Sequence, residues 1–110
     1  MAFDEDLADR IRELLGAERG VEEKRMFGGL AFLINGNMAV AASGRGGLMV
    51  RVPPEETDKL LTREHVAPMV MAGRKTRGWL RVSLDGVKTK RQLQPWVGRG
   101  VDYAKSLPPK

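Results

Sequence analysis

The sequence predicts a small α+β domain, two layers in the order α-β-β-β-α-β-β-α, with an antiparallel, curved sheet and helices packed on it. Three observations carry that expectation. Apolar residues recur at helical spacing near both ends of the chain. Between them, short apolar runs are separated by glycine and proline. Asn35-Gly36 stands between two such runs, the strongest short-range hairpin signal a sequence offers.

The elements follow in order. Phe3, Leu7, Ala8, Ile11, Leu14 and Leu15 form one apolar stripe of an amphipathic helix. Asp4, Glu5 and Asp6 sit where the helix dipole favours negative charge, with Asp4 as the expected N-cap and Gly16 as the stop. Leu30–Ile34 and Met38–Ala42 flank the Asn35-Gly36 turn, and Gly44-Arg45-Gly46-Gly47 leads into a third strand, Leu48–Val52. Pro53-Pro54 stops that strand, and Pro54-Glu55-Glu56 opens a short helix through Leu61. Val66–Met71 and Gly78–Ser83 read as two more strands, joined through Ala72-Gly73-Arg74-Lys75. Thr89-Lys90-Arg91-Gln92 is a capping box opening a last helix with the stripe Leu93, Trp96, Val97, Val101 and Ala104. Pro95 lies past its first turn, so a late start or a kink is expected there. One domain over residues 1–107 and a frayed tail, 108–110, complete the reading.

The hairpin is apolar on both faces. Ala31, Leu33, Met38 and Val40 are expected on one side, with Leu30, Phe32 and Ile34 on the other. A sheet covered on one side alternates apolar with polar. The second face therefore needs cover, either from a second copy in a homodimer or from the curl of the sheet and the last helix.

Composition narrows the chemistry. The 110 residues contain no cysteine and one histidine, which excludes disulfides, thiolate zinc sites and iron–sulfur clusters. No basic-then-apolar leader opens the chain and no apolar run approaches ~20 residues, so a cytoplasmic protein with no membrane association is expected. His65 has no cysteine nucleophile to serve, and no Gly-x-Ser-x-Gly surrounds Ser43, Ser83 or Ser106. Met26, Met38, Met49, Met69 and Met71 fall in apolar strand segments, where core filling is the simpler role than a soft metal site. Phe27-Gly28-Gly29 and Ser43-Gly44-Arg45-Gly46-Gly47 lack both the Gly-Lys-Ser/Thr ending and the following helix of phosphate loops, and read as turns. Neither an enzyme nor a bound cofactor or metal is expected.

Charge is uneven. Residues 1–66 carry nine Lys/Arg against twelve Asp/Glu, a net of −3, whereas residues 67–110 carry ten against two, a net of +8. Such asymmetry points to an acidic partner. On Gly78–Ser83, the alternation puts Arg77, Trp79 and Arg81 opposite Leu80 and Val82. With Arg74 and Lys75 in the preceding turn, and Lys88, Lys90 and Arg91 near the last helix, they form the candidate partner-binding set. Arg77-Gly78-Trp79 opens like an RNA-binding RNP1 motif, but no further aromatics follow.

Lys24-Arg25-Met26-Phe27-Gly28-Gly29-Leu30-Ala31-Phe32, the Asn35-Gly36-Asn37-Met38 hairpin and Gly73-Arg74 before Arg77-Gly78-Trp79 together resemble the TfoX (Sxy) N-terminal domain family. Leu93, Trp96, Tyr103 and Leu107-Pro108 extend the likeness over nearly the whole chain. The resemblance implies an α-βββ-α-ββ-α domain of bacterial competence regulators, in which a separate second domain follows. This chain ends at Lys110 and is expected to be a stand-alone member. The expected function is that of a non-enzymatic regulatory or adaptor module acting by protein–protein binding. Direct nucleic-acid binding through the basic C-terminal half is the alternative.

Overall fold

The Asp4 carboxylate accepts the Leu7 backbone N–H at 3.1 Å and starts α1, Glu5–Leu14. Glu5 and Asp6 follow in its first turn, as the helix dipole favours. Leu7, Ala8 and Ile11 form the buried stripe, continued by Leu15. This is a computed structural model that describes residues 3–26, 28–71 and 73–109, the side chains of Met71 and Lys75 excepted.

Six strands follow: β1 Val21–Met26, β2 Gly29–Ile34, β3 Asn37–Ala42, β4 Leu48–Arg51, β5 Val66–Met71 and β6 Arg74–Val82. They form one antiparallel sheet in the order β1-β2-β3-β4-β6-β5. The α+β class and the antiparallel sheet agree with the sequence, but the sheet has one strand more than the sequence suggested. That strand is β1, which carries Glu22, Glu23, Lys24 and Arg25 and shows no apolar alternation. As an edge strand it has one neighbour, and its exposed charges discourage pairing with another chain.

Asn35 and Gly36, with φ of 53° and 84°, turn β2 into β3 as a type I′ turn requires. The pairing shifts between Phe32 and Leu33: Phe32 faces Val40, and Leu33 faces Met38. Ala39 is the extra residue of this bulge. The bulge corrects the expectation that Val40 shares a face with Met38, because one inserted residue reverses the alternation. Val40 joins Phe32 in the helix-side core, while Met38 stays on the opposite face.

Pro54–Glu56 makes one 3-10 turn before α2, Thr57–Leu60. The chain then crosses to the far edge as β5, and β6 returns between β5 and β4. Strand β6 begins four residues earlier than expected, with Gly78 at φ 88° inside it. The Gly78 N–H donates to Thr57 Oγ1 at 2.8 Å, and its carbonyl accepts from the Val52 N–H at 2.9 Å.

Helix α3, Lys90–Ser106, starts at the expected capping box: Thr89 Oγ1 accepts the Gln92 N–H at 3.1 Å, and Gln92 Oε1 accepts the Thr89 N–H at 3.1 Å. Pro95 does not delay it. Pro95 and Arg91, whose carbonyl loses the bond that a residue other than proline would make, both lie on the exposed side, where water can solvate that carbonyl. Gly100 lets the helix settle on the sheet: a Cβ there would stand 2.5 Å from the Ala39 carbonyl oxygen. Past the helix, Asn37 Nδ2 donates to the Pro108 carbonyl at 2.9 Å.

Helices α1 and α3 cover one face of the sheet, over a core that includes Phe32, Ile34, Val40, Val50, Leu80, Val82 and Leu93. On the other face Ala31, Leu33, Met38, Ala41, Met49 and Met69 form a second cluster, with Met26 and Trp79 against it. These six residues are at most 8% exposed in the single chain. Strand side chains of the curved sheet cover one another there, so their burial does not depend on a second copy. Phe27, which the sequence places in the Phe27-Gly28-Gly29 turn, lies outside the described residues.

Candidate functional site

Strand β6 divides its side chains between the two faces. Leu80 and Val82 enter the helix-side core, so Trp79 and Arg81 take the other face, with Trp79 against the methionine cluster. Arg51, paired with Trp79 across β4 and β6, brings its guanidinium 5.4 Å from the Trp79 ring centre and 5.5 Å from that of Tyr103. This is cation–π distance to both rings. Arg81 is half-buried, flanked by Met49 on β4 and Ala67 on β5. Arg77 turns away to Asp58, 3.1 Å distant, and to the Pro54 carbonyl at 3.0 Å. Arg74 is exposed at the start of β6, and the Lys75 side chain lies outside the described residues.

Lys88, Lys90 and Arg91 sit apart from these. They lie at the start of α3, on the side of the sheet that Trp79 does not face. Lys88 meets Asp85 at 3.2 Å and Lys90 meets Glu13 at 3.6 Å, while Arg91 is exposed. The basic residues chosen from the sequence therefore fall into two groups separated by the sheet. The helix that carries one group packs on β3 and β4, on the side of the sheet away from Trp79.

Sequence reasoning missed a third grouping. Arg45, from the turn between β3 and β4, lines a cleft of about 330 Å³ together with His65, Arg81 and Ser83. Gly46 and Gly47, with φ of 90° and 79°, form part of its wall. The glycines were a usable signal for a turn presenting Arg45, but nothing local connects that turn to His65. Among the described residues, no three His, Asp or Glu side chains converge on a metal-sized site. No helix among them is long and apolar enough to cross a membrane.

The family model described as TfoX N-terminal domain matches residues 13–104. The chain belongs to that family. No curated protein matches it. Membership makes this a competence-regulator-like module. In this TfoX N-terminal domain, Lys24, Arg25 and Met26 end the charged edge strand, and Gly29 opens β2. A side chain at Gly29 would collide with the Ala42 carbonyl oxygen and stand 2.9 Å from the Gly44 amide nitrogen. That glycine is a packing requirement. Trp96, also part of the resemblance, is 7% exposed in α3, with the Arg63 and Arg99 guanidinium groups 5.6 and 5.7 Å from its ring centre.

Proposed function

We propose that this TfoX N-terminal domain is a non-enzymatic regulatory adaptor that binds an acidic surface of a protein partner. The contact surface is the side of β6 bearing Trp79 and Arg81, with Arg51 beside it and Arg74 at the strand's start. The observation that carries the reading is the Arg51–Trp79 pair, across which the two rings hold an arginine at cation–π distance. Tryptophan, tyrosine and arginine are the residue types that dominate binding energy at protein interfaces. Arg74 and Arg81 have no carboxylate partner among the described residues.

Nucleic acid is the less favoured partner. A phosphate backbone is tracked by a continuous run of cations. Here the cations divide between two sides of the sheet, and Arg77, Lys88 and Lys90 already meet carboxylates.

The test is an Arg74→Glu/Arg81→Glu double variant, first checked for unchanged circular dichroism and melting. The protein that co-purifies with the wild type from its native cytosol is isolated and titrated against both forms. The reading expects the variant to bind at least about tenfold more weakly, the scale of losing one charge-assisted contact. Equal binding overturns this surface. A salt-sensitive gel shift of DNA or RNA, abolished by changing Lys88, Lys90 and Arg91 to Glu, would transfer the function to nucleic acid.

A further inference from the structure

We infer that the cleft between the β3–β4 turn and the start of β5 is an anion site, built for the phosphate group of a small organic ligand. Three stretches of chain far apart in sequence meet there. The β3–β4 turn supplies Arg45, the residue before β5 is His65, and the end of β6 supplies Arg81 and Ser83. Two guanidinium groups, an imidazole and a hydroxyl are the donors that oxyanions require, and no carboxylate among the described residues lines the cleft. Neither arginine has a carboxylate partner among the described residues, whereas Arg10, Arg77 and Arg99 each have one and Arg12 has two. The nearest acid to His65, Glu64, stands 3.8 Å from Nε2 and turns 94% of its side chain to solvent.

The backbone around the cleft is constrained. His65 has φ 67°, in the left-handed region that few residues other than glycine adopt, histidine among the more tolerant of them. Its carbonyl accepts the Ser83 N–H at 2.9 Å, which fixes His65 beside the end of β6. Gly86 leaves the space that His65 fills, since a Cβ at Gly86 would stand 2.7 Å from the His65 Cβ. Gly47 is equally confined, with a would-be Cβ 2.5 Å from the Val82 carbonyl oxygen. A strained non-glycine residue held by its surroundings, in a cleft, is a pattern associated with binding sites.

Size and wall chemistry choose among anions. About 330 Å³ is at the small end of small-molecule sites and too little for a large cofactor. Two guanidinium groups together favour a dianionic phosphate over a single carboxylate. Ala67, Pro68 and Leu84 offer an apolar wall for the body of the ligand. Inorganic phosphate shares the anion chemistry without the body, and the two sources can be separated by experiment. Arg81 also belongs to the proposed partner surface, so the test uses Arg45 and His65, which that surface does not include.

The experiment is a titration of the whole chain, followed by NMR, with inorganic phosphate and separately with phenyl phosphate, chloride holding ionic strength constant. Saturable shifts at the Gly46, Gly47 and Ser83 amides are expected, with phenyl phosphate binding the tighter. Equal affinity for the two would retain the site and name free phosphate as its ligand. His65→Gly relieves the left-handed φ and should keep the fold, while weakening phenyl phosphate binding about tenfold. Arg45→Ser, in an exposed turn, should do the same. Shifts that never saturate, that chloride reproduces, or that both variants retain at wild-type affinity would overturn the site. Loss of the protein partner with phosphate binding intact would leave this inference standing and remove only the adaptor reading.

Discussion

The two faces of the sheet are packed from different materials. Beneath α1 and α3 lie Phe32, Ile34, Val40, Val50, Leu80 and Val82, each at most 1% exposed. Across the sheet lie two alanines, Leu33 and the methionines Met38, Met49 and Met69, most of them 4–8% exposed. Branched and aromatic side chains have few rotamers and fix the angle of a helix resting on them. Methionine has three flexible bonds and adapts to its neighbours. The covered face therefore sets the architecture, while the face carrying Trp79 and Arg81 rests on the more adaptable floor.

The largest effect separates the two directly. Phe32→Ala should cost about 3–5 kcal/mol, because a fully buried ring leaves a cavity that stiff neighbours cannot fill. Met49→Ala, buried at 6% exposure among flexible side chains, should cost only about 2 kcal/mol, the low end for such truncations. Urea denaturation of both variants checks this. Similar losses would mean that the two faces are equally rigid, and the contrast would fall.

A smaller effect asks how closely the covered face holds its helix. Gly98 and Gly100 both lie in α3, and each should weaken an isolated helix by about 1 kcal/mol relative to alanine. A Cβ at Gly98 meets nothing within 4 Å, so Gly98→Ala should stabilise by up to about 1 kcal/mol. At Gly100 it meets the backbone of Ala39, which cannot swing aside. Gly100→Ala should therefore destabilise by about 1–3 kcal/mol despite its better propensity. Melting temperatures of the pair moving in opposite directions would locate the close contact; parallel shifts would show that α3 is loosely seated.

How much of this was legible depends on the range of each rule. The Asp4 cap, the Asn35-Gly36 turn and the Thr89–Gln92 box are governed by residues within four positions of one another, and each appears where it was read. Strand β1 was hidden because its identity comes from pairing with β2, while its side chains are those of an exposed edge. The Ala39 bulge was hidden because strict alternation assumes uninterrupted pairing. The candidate binding residues show the same division. Arg81 and Trp79 share a face because a strand alternates, which a sequence reveals. Their separation from Lys88, Lys90 and Arg91 follows from the side on which α3 packs, and the meeting of Arg45 with His65 follows from the strand order β4-β6-β5. Neither is a local property.

The smallest effect lies at the rim of the covered face, where Arg12 of α1 reaches Glu23 of β1 through two hydrogen bonds, 2.8 and 2.9 Å long. These bonds hold the Glu23 carboxyl below its ordinary pKa, against the opposing pull of partial burial. They also raise the Arg12 guanidinium, with help from Asp9, so that it stays charged at any pH of interest. A carboxyl depressed on folding contributes stability that is present above its unfolded pKa and is lost as pH falls through its folded value. Both groups are substantially exposed, so solvent and salt screen the pair and its contribution is small. Glu23→Gln should therefore be slightly less stable than the wild type at neutral pH. The gap should narrow below about pH 4, as the wild-type carboxyl becomes protonated. Added salt at neutral pH should narrow it too. A gap that persists unchanged in acid would mean that Glu23 acts through packing, and that charge plays no part in fastening α1 to the edge of the sheet.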